Sequence, residues 1–183
     1  FDRRIPAAPW HQYFRMDRLD DCGALGAALV EVYLTEKRDS FLHRIEETAH
    51  HIMQRQDRLG DGTFVRKRFG KTTLWADDLF MSVPFLAGMY KLTGEEKYLD
   101  EGIRQVRNFH TRLFSPEKQL YHHCWYIEAG HPGVAHWGRA NGWVAMAKCM
   151  LINVMPGDHP QRKELIQILL RQILGFSRYQ CAN

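Results

Sequence analysis

A spacing of 57 to 58 residues recurs along this chain and restricts it to a repeat of helical pairs: Asp21 and Asp78 are 57 residues apart, and Leu34-Thr35 and Leu92-Thr93 are 58 apart. Between Asp20 and Thr35 the apolar residues Leu25, Leu29, Val32 and Tyr33 fall on one face of a helix. After Glu36-Lys37-Arg38-Asp39 a second amphipathic stripe follows, made of Leu42, Ile45, Ala49, Ile52 and Met53. So short a turn predicts an antiparallel pair. The arrangement returns with a helix opening at Asp77-Asp78 and ending near Leu92-Thr93, and a partner from about Glu95 to Leu113. A third pair is expected from Asn141 to Met155 and from Pro160 to Tyr179, separated by Pro156-Gly157. Matched spacing of this kind is the mark of a helical-hairpin repeat.

The fold class expected is therefore all-α. Connections within pairs are short. Those between pairs, about 55–75 and 115–138, are long and rich in Gly, His and aromatic residues, the places where function tends to sit. Each is expected to contain a brief extended piece, near Thr63-Phe64-Val65 and Leu120-Tyr121-His122, where aromatic and β-branched residues cluster. Three pairs form an open arc unless further pairs close it, so the 183 residues are expected to be one partial domain, 1–183, of a larger toroid.

Composition narrows the function classes. With 45% hydrophobic residues the chain can bury a sizeable core, and no apolar run approaches the length of a bilayer span or of an export signal, so neither is expected and the compartment stays open. The net charge of +4 is dispersed among acids, as in Lys163-Glu164, which argues against a nucleic-acid partner. Cys22, Cys124, Cys149 and Cys181 are widely scattered and read as ordinary thiols. Adjacent histidines such as His50-His51 and His122-His123 point different ways on a regular element, so no metal and no cofactor is expected.

Asp20-Asp21, Asp77-Asp78 and Arg139-Ala140-Asn141 occupy equivalent places, at the start of the first helix of each pair. In a ring of such pairs they converge on one rim, the setting a polar substrate requires. Helix capping accounts for one Asp of each doublet, and the second is left for chemistry. Trp75, Trp125, Trp137 and Trp143 stand beside these groups and offer flat faces for a sugar ring, with about half of them assigned to packing. Arg139 suits a bidentate pair with a substrate carboxylate. Of the histidines, His122 or His123, beside Trp125, is the candidate for a hydrogen bond to substrate.

Two longer motifs make the chain recognisable. Trp75-Ala76-Asp77-Asp78-Leu79-Phe80-Met81-Ser82-Val83-Pro84-Phe85-Leu86 and Trp137-Gly138-Arg139-Ala140-Asn141-Gly142-Trp143, with Leu19-Asp20-Asp21-Cys22-Gly23 and Leu120-Tyr121-His122-His123-Cys124-Trp125, resemble the unsaturated rhamnogalacturonyl hydrolases of glycoside hydrolase family 105, relatives of the unsaturated glucuronyl hydrolases. The resemblance implies an (α/α)6 toroid, of which these three pairs are about half. It also implies hydration of the C4–C5 double bond of a terminal unsaturated uronic acid on a lyase-derived oligosaccharide, the partner expected here. In that pattern Asp77 matches the principal acid/base and Asp21 the second active-site carboxylate, the doublet leaving Asp20 available to substrate. His123, Trp137 and Arg139 match substrate-holding positions, and Trp75 and Asn141 complete the expected binding set. Where many relatives carry a His before the Trp-x-Asp motif this chain has Val65-Arg66-Lys67-Arg68, which predicts that Arg66 favours longer or more acidic oligosaccharides. Two other readings compete: a toroid sugar epimerase or isomerase using histidines for proton transfer, and a carbohydrate-binding helical module without turnover.

Overall fold

The computed structural model describes residues 19–68 and 70–181. Its helices are α1 (Leu19–Thr35), α2 (Asp39–His50) continued by a single π-helical turn (His51–Arg55), α3 (Asp77–Thr93), α4 (Glu96–Leu113), α5 (Gly138–Val154) and α6 (Arg162–Tyr179). The expected pairs α1/α2, α3/α4 and α5/α6 all form, and α3 packs against both α1 and α5. Helices α1, α3 and α5 therefore make an inner layer and α2, α4 and α6 an outer one.

The two layers are written differently. Helix α3 buries Asp78, Leu79 and the unbroken run Ser82 to Met89, the pattern of a helix covered on all sides. Helix α4 buries one stripe, including Leu99, Ile103, Val106 and Phe109, and leaves its charged face in water. The turn between them is set by Gly94, whose φ of 71° is the left-handed stop that lets its N–H reach Tyr90 O at 2.8 Å.

The inner layer depends on a very close helix crossing. A Cβ added to Gly23 of α1 would lie 1.8 Å from the backbone oxygen of Met81 in α3. Only a hydrogen fits there, and the residue stands two positions beyond Asp21.

The long connections are more ordered than two isolated extended pieces. They carry strands β1 (Arg66–Arg68), β2 (Lys71–Trp75), β3 (Phe114–Ser115), β4 (Leu120–Tyr121), β5 (Cys124–Tyr126) and β6 (His131–Pro132). Strands β1, β2, β5 and β6 form one antiparallel sheet in that order, so the connections before α3 and before α5 share a sheet. The expected strand at Thr63-Phe64-Val65 reduces to a single bridge between Phe64 and Arg58, and the regular strands lie just after it. Register pairs Leu74 with Trp125 and Trp75 with Cys124. Ala76 N–H then donates to His123 O at 2.9 Å, so the residue entering α3 is tied to the strand end carrying His123.

The core also holds an ionisable cluster. Lys148 of α5 is fully buried and its Nζ donates to Tyr121 Oη at 3.2 Å, while the same oxygen lies 2.8 Å from His110 Nδ1 of α4. Burial lowers the Lys148 pKa to about 7, and burial followed by the charges of Lys148 and Arg171 lowers that of His110 to about 4. Both groups bind protons more weakly folded than unfolded. The unfolded chain therefore takes up the extra proton between each folded value and the ordinary one, and stability rises with pH across those windows. The melting temperature is expected to climb from pH 4 to 6.5 through His110 and again from pH 7 to 10.5 through Lys148. Calorimetry on Lys148→Met should show the upper rise gone and the lower one kept. An unchanged upper rise would mean that another group supplies it.

Candidate active site

The expected residues arrive at one rim by three routes. Helix α1 brings Asp20 and Asp21 in its first turn, α3 brings Asp77 and Asp78 in its first turn, and the turn into α5 brings Trp137 and Arg139. The shared sheet adds Trp75 and His123.

Five of these residues make one continuous line of contact. The Arg139 guanidinium lies over the Trp137 ring, 3.6 Å from its centroid. The Trp137 ring meets His123 edge to face at 5.0 Å and 72°. His123 in turn meets Trp75 at 4.8 Å and 88°, and its Nε2 lies 3.0 Å from Asp77 Oδ2. Trp75 is fixed by its Nε1–H, which donates to Thr73 Oγ1 at 2.8 Å. Trp137 keeps 43% of its surface exposed, so the Arg139 end of the line opens to solvent. Asp77 lies at the enclosed end, with 14% of its side chain exposed.

Asp77 Oδ2 is buried and, among the described residues, has no aligned hydrogen-bond donor. It faces His123 Nε2 at 3.0 Å without hydrogen-bond alignment. A buried carboxylate oxygen left unsatisfied on a helix N-terminus is the exception that calls for a functional account.

The neighbouring Asp78 is engaged otherwise. It is fully buried and accepts from Arg66 of β1, with Arg66 Nε at 2.9 Å from Oδ2 and 3.1 Å from Oδ1, and Nη2 also donating to Oδ1. Arg66 reaches Asp20 as well, through Nη1 to Oδ2 at 2.9 Å and Nη2 to Oδ1 at 3.2 Å. Burial pushes the Asp78 carboxyl up to about 6 against the hydrogen bonds and charge of Arg66, while the guanidinium, which burial alone would lower, is held above its ordinary value by Asp78 and Asp20.

Three expectations need correction. Capping does not explain either Asp of the second doublet: the residue at the cap of α3 is Ala76, which makes no side-chain cap bond, and Asp78 is held by Arg66 instead. Asn141 is not presented to a ligand, because it is 1% exposed and its amide is used internally. Its Oδ1 accepts from Tyr121 N–H at 2.7 Å and its Nδ2 donates to Tyr121 O at 2.8 Å, which latches β4 to α5. Arg66 is engaged within the protein, its donors facing Asp78 and Asp20.

Of the other tryptophans, Trp143 packs on Phe80 with ring centroids 4.3 Å apart, and Trp125 packs against the core. Asp21 is half-buried beside Asp20. The residue that sequence reasoning missed is Arg66 as the shared partner of Asp20 and Asp78. No local signal marked it, because its partners Asp20 and Asp78 lie 46 and 12 residues away.

The profile of Glycosyl Hydrolase Family 88 matches residues 3–183. The chain belongs to this family. It is 27% identical over 163 residues to an unsaturated rhamnogalacturonyl hydrolase of Bacillus subtilis (strain 168), a match covering 86% of this chain and 47% of that protein. An unsaturated 3S-rhamnoglycuronyl hydrolase of Alteromonas sp. (strain LOR) is 35% identical over 111 residues, covering 58% of this chain and 26% of that one. Among solved structures, a family 105 glycoside hydrolase of C. acetobutylicum ATCC 824 superposes with a TM-score of 0.80 at 24% identity, over 92% of this chain and 48% of that chain. The chain spans about half the length, or less, of the curated relatives it matches. Its three hairpins belong to the toroid fold of this family 88 and 105 group, so the all-α reading stands, and they match about half of that neighbour's chain.

Proposed function

We propose that this rim hydrates the C4–C5 double bond of a terminal unsaturated uronic acid on an oligosaccharide, acting with Asp77 as acid and base. The observation that carries the reading is the unsatisfied Asp77 oxygen, enclosed beside His123 and Trp75 at the end of a line of contact that starts at Arg139. The names of the family relatives support a substrate of this class.

The chemistry follows from the substrate. Hydration adds a proton at C4 and a hydroxyl at C5, and the hydrated sugar then opens and releases the residue to which it was joined. Asp77 delivers the proton to C4, and the carboxylate left behind takes a proton from the water that adds at C5, so the group ends as it began. His123, in contact with Asp77, orients the carboxylate, and Asp21 in the first turn of α1 steers the water. Arg139 holds the uronate, its plane fixed by the face of Trp137. The positive ends of α1, α3 and α5 face the same rim and favour an anionic substrate.

Incubation with an unsaturated disaccharide from a pectin or glycosaminoglycan lyase digest, followed by the ultraviolet absorbance of the double bond, tests the reading. Decay supports it, and none across a panel of such substrates in the full-length protein would refute it. Arg139→Lys is expected to raise KM about tenfold, the equivalent of one lost bidentate contact of ~1.4 kcal/mol, with a smaller change in kcat. An unchanged KM would remove Arg139 from the carboxylate site.

A further inference from the structure

We infer that Arg66 is a positioning residue that sets the separation of Asp21 and Asp77 by clamping the first turns of α1 and α3 together. The inference rests on the reading of those two aspartates as the acting carboxylates.

The clamp grips the neighbour of each. Asp20 precedes Asp21 in α1, and Asp78 follows Asp77 in α3. A single guanidinium donates to both neighbours, with four of its contacts between 2.9 and 3.2 Å. Because Asp78 is fully buried, its bond to Arg66 fixes the rotation of the first turn of α3 and so the direction of Asp77 toward His123. Asp20 is 44% exposed at its side chain, so that arm adds little to folding and acts chiefly on the position of the α1 turn.

Arg66 is itself held from behind. Its strand pairs with β2, Thr73 Oγ1–H donates to Arg66 O at 3.1 Å, and the guanidinium lies 5.8 Å from the Trp75 ring centroid. A planar fork can meet two carboxylates at once, whereas an ammonium on a flexible stem cannot fix both.

Arg66→Lys and Asp20→Ala, made singly and together in the full-length protein, test the clamp by kcat, KM and melting temperature. Each single variant is expected to lower kcat about tenfold or more while KM moves less than roughly threefold, since misplacement of reacting groups by a fraction of an ångström suffices for such a loss. The double variant should be no worse than the poorer single one, because both break one device. Asp20→Ala keeps the buried Arg66–Asp78 pair and should melt within a few degrees of the parent, so it decides the matter even if Arg66→Lys folds poorly. A lower melting temperature with kcat unchanged would make the contact merely structural, and a raised KM with additive losses would put Arg66 on the substrate; either overturns the clamp. Asp77→Asn separates the two layers of the argument. If it retains turnover the reading of the site fails, and if it is inactive while the clamp variants keep kcat only the clamp fails.

Discussion

Asp77→Asn is expected to lower kcat by roughly 10²–10⁴-fold, the range supplied by a positioned general acid and base. The substitution keeps the shape of the side chain and removes its capacity to give a proton to carbon and take one from water. Among the described residues Asp77 Oδ2 has no aligned hydrogen bond to lose, and the side chain is not fully enclosed, so stability should shift by no more than about 1 kcal/mol. The prediction is therefore of an inactive, well-folded protein with KM near that of the parent. Steady-state kinetics beside a thermal melt checks both halves. Normal turnover in Asp77→Asn would move the acid elsewhere, with His123 the group in contact with it.

The second large effect falls on the fold. Gly23→Ala is expected to cost about 3 kcal/mol, at the upper end of what an added methyl costs in a packed interior. The new carbon would meet Met81 O at 1.8 Å, and a backbone oxygen in the middle of α3 cannot swing aside as a side chain can. Relief requires α1 to move away from α3. For a chain of 183 residues the loss corresponds to a fall of roughly 6–12 °C in melting temperature. Because Gly23 lies two residues from Asp21, the surviving folded protein should also lose activity well below its melting point. A urea midpoint equal to that of the parent would show that the helices can separate without penalty.

Much of the fold was legible because a helix repeats its environment every few residues. The 58-residue spacing from Leu34-Thr35 to Leu92-Thr93 marked the ends of α1 and α3, and both helices end at those threonines. The sheet was not legible. Its strands are two to five residues long, too short for an alternating pattern to stand out, and their pairing joins Trp75 to a partner 49 positions away. The aromatic cluster at Thr63-Phe64-Val65 pointed to an extended segment, yet the regular pairing begins at Arg66 because Lys71–Trp75 lies opposite.

The site divides along the same line. Asp77, His123, Trp75, Trp137 and Arg139 were visible through motifs local in sequence, and the structure brings them into mutual contact. Arg66 and Asn141 were misread because their roles depend on partners far along the chain. Arg66 meets Asp20 46 residues back, and Asn141 meets Tyr121 20 residues back. A basic run such as Val65-Arg66-Lys67-Arg68 looks solvated, and only the depth of Asp78 shows why one of its members is not.

The most direct test of the central claim is to run the reaction on an unsaturated uronyl disaccharide in deuterated water and read the released uronic product by NMR. Hydration through Asp77 predicts loss of the double bond with one solvent deuteron bound at C4. Release of a sugar with the C4–C5 double bond intact and no deuterium at C4 would contradict the account.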